Sequence, residues 1–285
     1  LEVGSWKLEV GSWKLEVGSW KLEVGSWKEN RLDNKAAMQA YNLHERIGLQ
    51  ISGYQKVARS ELVKFVSEDK QGSFIGYFNI NEQDIDAVIT DEIDYFKKLQ
   101  RSFEWKTYGL DLPQDMGDRL EAHGFIADEP ESFMLLDLQS SPVTFADTAI
   151  CVEVSDQQGI KDAISVQEKV WGGYLTDKLD RLVQIKQQTP QNLTVYVIYQ
   201  DDNPVASAWI MYNDESPFAG VWGGSTLPLY RGRGYYSALL NKRINDAKQR
   251  GMKYLSIDAS AMSRPIVARH GFEFITQTTP YFYHI

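Results

Sequence analysis

The segment STLPLYRGRGYYSALLNKRINDAKQRG, residues 225–251, has the residue types and spacing to hold a phosphate. A strand pattern ends at Thr226, and Pro228 stops it because proline has no N–H to give to a ladder. Arg231-Gly232-Arg233-Gly234 then leads straight into an amphipathic helix. The free amides and dipole at such a helix start favour an anion. Gly232 and Gly234 permit unusual backbone angles and close approach by a ligand. Arg231 and Arg233 supply charge and donors for phosphate oxygens. The competing reading is a tight loop with two solvated arginines. The segment is neither a Walker loop, which needs G-x-x-x-x-G-K-[ST], nor a dinucleotide fingerprint, which needs Gly where Ser237 stands.

The rest of the chain must position that loop. Its 285 residues are 43% hydrophobic and 24% charged, a globular composition that excludes disorder of the whole chain. The net charge of −9 argues against nonspecific nucleic-acid binding, which needs clustered Lys and Arg. No apolar run reaches the roughly 18 residues of a membrane span, and no secretory start is visible. The expectations are a cytoplasmic protein with no membrane and no nucleic-acid partner. One cysteine, Cys151, cannot build a disulfide framework or a thiolate zinc site. His44, His123, His270 and His284 show no metal spacing. Asn192-Leu193-Thr194 matches a glycosylation acceptor without a secretory signal to support it.

Residues 1–28 are LEVGSWK written four times. Val and Trp alternate at heptad a/d spacing, which reads as a short coiled coil, but every unit carries a helix-weakening Gly. The codons for LEVGSWK can be the seven-base unit TTGGAAG repeated, and any open frame through that DNA returns a seven-residue repeat. Translated repeat DNA is the preferred reading, with a native start near Met38.

Beyond the repeat, residues 39–66 read as mostly helical, with Leu43, Ile47 and Ile51 on one face. Residues 73–80 read as a strand, 82–100 as a helix, 103–109 as a strand and 133–138 as another. Pro113 opens a helix that ends at Gly124. Residues 139–144 have linker composition. A second cycle follows: a strand at 150–154, helices at 160–170 and 178–186, and a hairpin of 193–199 with 205–212. Next come a glycine-bearing strand at 218–226, a helix from 234 to about 250, a strand at 254–258, a helix at 263–270 and a closing aromatic strand pair. The fold class is α/β of the α+β type, a mixed and mostly antiparallel sheet flanked by helices.

With these elements in place, the chain resembles the GNAT-type N-acetyltransferase family. The family's loop [QR]-x-x-G-x-[GA] is met by Arg231, Gly232, Arg233, Gly234, Tyr235 and Tyr236, with Tyr236 departing from the usual Gly or Ala. The pattern T-x-P-x-x-R-G-x-G also matches, and residues 259–275 resemble the family's later segment ending in G-F, here Gly271-Phe272. The resemblance covers roughly 145–285. It implies a V-shaped opening between two strands that holds acetyl-CoA as acetyl donor, without a metal. The pantetheine arm would pair with backbone near Gly224, Ser225 and Thr226, and a backbone N–H near Thr226 would polarise the thioester. The bulky Tyr236 side chain must then point away from the pyrophosphate. The implied reaction is direct acetyl transfer to a small-molecule or protein amine.

The catalytic side chains stay unassigned. The Tyr many members use as acid falls at Val267, and an often-seen Asn falls at Ser260. Tyr281 and Tyr283 are candidate replacements, against core or rim packing. Asp214 and Glu215 are candidate bases in what reads as a solvated turn, and Asp258 sits at the expected mouth, against a helix-capping role. Trp171-Gly172-Gly173-Tyr174 lies where members place substrate-gating residues, against an ordinary loop.

DRLEAHGF, 118–125, echoes IVARHGF, 266–272. The echo raises a tandem GNAT arrangement in which 38–140 is a degenerate copy that lacks the R-G-x-G loop and walls the acceptor side; the alternative is chance. The expected organisation is thus 1–28 outside the fold, 38–140 as a first α/β domain and 145–285 as the acetyltransferase domain. Two other functions compete with acetyl transfer: a noncatalytic acyl-CoA-binding or sensing protein, and an interaction protein organised by the heptads. A homodimer is a further expectation.

Overall fold

The computed structural model describes residues 33–68, 72–140 and 148–285. The LEVGSWK repeat and most of the 139–144 linker lie outside these residues. Among the described residues, twelve strands form one sheet in the order β1-β2-β3-β4-β12-β6-β11-β10-β9-β8-β7, with β5 paired to β12. The strands are β1 (Tyr54–Ala58), β2 (Leu62–Ser67), β3 (Ser73–Phe78), β4 (Phe103–Tyr108), β5 (Ile126–Ala127), β6 (Glu131–Asp137), β7 (Val152–Val154), β8 (Leu193–Gln200), β9 (Asn203–Tyr212), β10 (Phe218–Thr226), β11 (Tyr254–Ala259) and β12 (Glu273–Tyr283). Neighbours are antiparallel except β3 with β4 and β10 with β11. Each parallel pair needs a crossover, supplied by α2 (Ile85–Leu99) and α6 (Tyr235–Gln249).

The order is symmetric about the β12–β6 seam. On either side the sequence is exchanged strand, parallel pair, then antiparallel strands. Each half therefore sets its last strand beside the other half's parallel pair: β6 on β11 and β12 on β4. The H-G-F echo falls at matching places. Short helices α3 (Met116–Ala122) and α7 (Arg264–Arg269) both end in His-Gly-Phe, with Gly124 at φ 91° and Gly271 at φ 92°. This left-handed turn aims the chain back at the sheet and favours glycine.

Helices cover both faces. On the back, α6 and α7 lay Leu239, Leu240, Ile244 and Val267 on Val221, Leu255 and Ile257. Also on the back, α2 and α3 lay Ile89, Phe96 and Leu120 on Phe103 and Trp105. On the front, α4 (Gln157–Trp171) and α5 (Thr176–Gln188) cover Val195, Val197 and Trp209, while α1 (Asn34–Tyr41) puts Met38 and Tyr41 on Phe133 and Phe218. Asp156 caps α4 by accepting from the Gly159 N–H at 2.7 Å.

Two expectations need correction. Residues 39–66 are not mostly helical: the helix continues only as a wide turn, Asn42–Ile47, and β1 and β2 follow. The wide turn rotates the helical face, so Leu43 is exposed and Arg46 is buried. Leu62–Ser67 is buried on both faces, and such a strand loses the alternation that would mark it. The closing strand pair is one strand, β12, whose register shifts between Phe274 and Thr276 as it passes from β6 to β4. Met38 lies inside α1, which Asp33 caps from its N-terminal side through the Lys35 amide at 2.9 Å.

Candidate active site

The parallel pairing of β10 with β11 runs only over Phe218–Gly220 and Tyr254–Ser256. Beyond it β10 continues to Thr226 and β11 to Ala259 without pairing, so the two strands splay into a V. Glycines set the shape of the β10 side. On β9, Trp222 faces Trp209 and Ser225 faces Ser207, so the residues between them form a bulge at Gly223-Gly224. Gly223 has φ 63°, and a Cβ there would collide with the Trp209 ring. A Cβ on Gly224 would come within 2.8 Å of Tyr236 Cε2. Helices hold the bulge from both faces. The Gln167 side-chain amide donates to the Gly223 carbonyl, and Arg243 Nη1 donates to the Trp222 carbonyl at 3.2 Å.

The loop follows. Leu227 N–H closes the last tie to β9 at the Val205 carbonyl, 2.9 Å, and one tight turn, Pro228–Tyr230, leads to Arg231. Arg231 Nε donates to the Thr226 carbonyl at 3.2 Å, and the Arg233 guanidinium lies 5.1 Å from the Tyr230 ring centre. Gly232 has φ 75° and Gly234 φ 81°, and a Cβ built on either meets no atom within 4 Å. The first bond of the α6 start is Ala238 N–H to the Gly234 carbonyl, 2.9 Å. The preceding amides of the helix start have no intrahelical acceptor. Loop, exposed arginines and helix start together form a cradle suited to a phosphate. Tyr236 leans on Gly224 and Tyr235 donates to Gln200 Oε1 at 3.2 Å, so both rings pack along the sheet.

Among the described residues, two buried polar atoms on the β10 and α6 side of the V lack partners: Thr226 Oγ1 and Arg243 Nη2. Arg243 is 1% exposed, and burial pulls its guanidinium down to about 10. A buried orphan donor is costly unless something fills its place. These atoms fit an acyl-CoA arm threading the opening, with Gly224, Ser225 and Thr226 on its β10 wall. Ser225 faces the front, where its Oγ accepts from Trp171 Nε1 at 3.1 Å.

The candidate catalytic residues are dispersed. Val267 is buried in the core under α7 and offers no hydroxyl. Tyr281 sits opposite Trp105, and Tyr283 packs on Phe103 and Phe125; both belong to the first half's core. Asp214 and Glu215 occupy the turn before β10, at the strand end opposite Thr226. Ser260 contacts Ser263 within a turn. Asp258 is not a helix cap: its Oδ2 pairs with Lys106 Nζ at 2.6 Å. Trp171 and Tyr174 flank a loop whose Gly172 and Gly173 have positive φ, and Tyr174 is 94% exposed. The rings of His123 and His270 turn inward to the Arg119 and Ile266 carbonyls, each 2.9 Å from Nδ1.

Sequence reasoning missed the charged group around Asp258. On the front face, Glu104 and Lys106 of β4, Asp128 after β5, and Glu131 of β6 surround it. One signal was present: Glu104 and Lys106 alternate with Phe103 and Trp105, marking a charged face on an otherwise aromatic strand.

Residues 162–272, from within α4 through the second H-G-F, match the model of the Acetyltransferase (GNAT) family. The fold is shared with solved structures. A GCN5-related N-acetyltransferase from Kribbella flavida superposes with TM-score 0.61 at 16% identity, over 87% of this chain and 95% of that one. One from Sphaerobacter thermophilus gives 0.55 at 14% identity, over 87% and 85%. A tandem GNAT protein of the clavulanic acid biosynthesis pathway gives 0.54 at 11% identity, over 85% and 86%. A comparison with curated proteins finds no match. Residues 162–272 thus resemble the GNAT family in sequence, and the chain shares its fold with GNAT structures, one of them a tandem GNAT protein, with strands exchanged between the two halves of the sheet. Among the described residues no helix is long and apolar enough to cross a membrane.

Proposed function

We propose that this protein is an acetyl-CoA-dependent N-acetyltransferase that moves the acetyl group directly to an amine. The observation that carries the reading is the continuity of the β10 bulge, the open V and the Arg231–Gly234 cradle. In this reading the pyrophosphate lies on the α6 start, where Arg231 and Arg233 neutralise it. The pantetheine arm runs along Gly224–Thr226, and the thioester reaches the bulge beside the orphan Arg243 Nη2. Donors fixed at the bulge stabilise negative charge as it develops on the thioester oxygen. Binding both substrates across one opening supplies the positioning.

The test is calorimetric titration of acetyl-CoA into the full chain and into an Arg231→Ala, Arg233→Ala variant. Two charged hydrogen-bonding groups are lost, so the variant should bind on the order of 10²-fold more weakly. A folded parent that fails to bind, or a variant that binds equally well, removes the reading. Val267 at the position of the usual acid favours a second one, an acyl-CoA-binding protein without turnover. Release of CoA in the presence of amines separates the two.

A further inference from the structure

The β11 rim of the V carries a front-facing carboxylate with half of its bonding unmet. Asp258 is 9% exposed; its Oδ2 pairs with Lys106, while its Oδ1 is buried without a hydrogen-bond donor. Asp258 lies two residues past the last β10–β11 pair, opposite Phe133 of β6, so it stands where the strands part. From there the charged group spreads across the front of the exchanged strands. Glu131 faces Thr278, Thr278 faces Tyr108, and Lys106 and Glu104 follow on the same side of β4. Asp128 joins through its N–H to the Pro280 carbonyl at 2.9 Å. Four carboxylates thus surround one ammonium. Lys106 is held above its usual range because Asp258 and Glu104 outweigh the cost of burial. Among the described residues, no hydrogen bond reaches the side-chain carboxylate of Glu104 or Glu131. The opposite rim is aromatic: Trp222 of β10, 44% exposed, faces the front, and Trp171 reaches the same strand at Ser225. Aromatic faces and surplus carboxylates both attract organic cations.

We propose that the acceptor is an amine with at least two cationic nitrogens, bound on the front of the V between Trp222 and the Asp258–Glu131–Asp128–Glu104 group, with Glu131 as the base for the attacking nitrogen. This rests on the acetyl-CoA reading above. The donor arm enters from the back, under α6, and the thioester carbon is presented through the opening. The attacking ammonium gives one proton to the Glu131 carboxylate and becomes a neutral nucleophile. Its lone pair forms the C–N bond, and the C–S bond breaks with its electrons on sulfur. The second nitrogen proton leaves as the intermediate collapses and reaches the thiolate, giving amide and CoA thiol. Glu131 returns its proton to water. The remaining carboxylates hold the acceptor's other cation.

Glu131 suits the proton step. Burial first, then the charges of Asp258, Asp128 and Glu104, only partly relieved by Lys106, push its carboxyl up to about 7. A base at that value transfers protons effectively near neutrality. Rate should therefore rise with pH through about 7 and level off above it.

The experiment measures CoA release by the full chain with butylamine, putrescine and spermidine across pH 5–9. The diamine and triamine should exceed butylamine in kcat/KM by about tenfold or more, from one additional charge contact. Glu131→Gln should lower kcat by about 10²-fold, flatten the rise through neutral pH and leave calorimetric acetyl-CoA affinity unchanged. Asp128→Asn with Glu104→Gln should erase the polyamine preference chiefly through KM. The amine panel on the unaltered chain needs no variant to fold. Equal use of butylamine, turnover of neither polyamine by a chain that binds acetyl-CoA, or an unchanged pH profile in Glu131→Gln overturns this inference and leaves the donor reading intact. Absence of acetyl-CoA binding to the parent overturns both.

Discussion

Among the described residues the sheet contains two parallel pairs that splay, and their openings are lined differently. β3 pairs with β4 over Ser73–Ile75 and Phe103–Trp105 and then parts, as β10 parts from β11. In the second half the V is lined by a glycine bulge and ends in a glycine-arginine loop. In the first half Arg46 fills it. Its Nε donates to the Gly76 carbonyl at 2.7 Å, and its two terminal nitrogens meet the Asp111 oxygens at 2.6 and 2.9 Å. The Tyr108 ring lies 4.4 Å beneath the guanidinium. Burial opposes the Arg46 charge, but Asp111 outweighs it and holds the group above its usual range. The helix starts differ as well. Before α6 the chain offers Arg231 and Arg233; at α2 it offers Asp84 and Asp86, which repel an anion. One topology thus gives an open cleft where glycines and cations face it, and solid core where an ion pair plugs it. The first half still contributes, because strand exchange brings Glu104, Lys106, Asp128 and Glu131 to the mouth of the second V.

The plug gives the largest effect expected from breaking this comparison. Asp111→Ala leaves a buried guanidinium without its counter-charge, and also orphans the Tyr108 N–H that Asp111 Oδ2 accepts at 3.0 Å. The expected loss is about 4 kcal/mol of stability, read as a lowered urea midpoint. Acetyl-CoA affinity of the folded fraction should stay within twofold or so, because the plug lies across the seam from α6. A variant of undiminished stability would show that the pair does not hold the first V closed.

A somewhat smaller effect is expected at the bulge. Gly223→Ala adds a Cβ against Trp209 at φ 63°. Overpacking and the left-handed backbone together should cost about 3 kcal/mol of stability and distort the β10 wall. Acetyl-CoA binding should weaken in the same variant. Full affinity would mean that the bulge shapes packing alone.

The two halves were not equally legible. β10 could be read to the residue, Phe218–Thr226, because β-branched and aromatic residues run to a proline. The loop could be read because glycine and arginine spacing is local. Arg46 could not: a lone arginine in a helical stretch reads as a solvated face, and only the wide turn at Asn42–Ile47 turns it inward. Strand exchange left no local trace either, since β12 meets β4 and β6 across about half the chain or more. The same distance hid the charged group around Asp258, with Lys106 and Asp258 separated by 152 positions. Patterning reports what a residue is next to in sequence, whereas this site is assembled by register.

The smallest expected effect sharpens the comparison most. Arg46→Met with Asp111→Leu replaces the ion pair by apolar side chains of similar reach. Charge and counter-charge leave together, but the Tyr108 N–H and the Gly76 carbonyl lose their partners, so the loss should be about 2 kcal/mol, below that of Asp111→Ala. The test is acetyl-CoA stoichiometry by calorimetry, expected at one site per chain both before and after the change. Removing the plug does not supply what the second V has: no glycine-arginine loop follows β3, and Asp84 and Asp86 still stand at the start of α2. If a second equivalent were to bind, the plug alone would separate the two halves. The glycine bulge and the cationic cradle would then be dispensable for holding the donor, and the loop would lose its standing as the feature that defines the site.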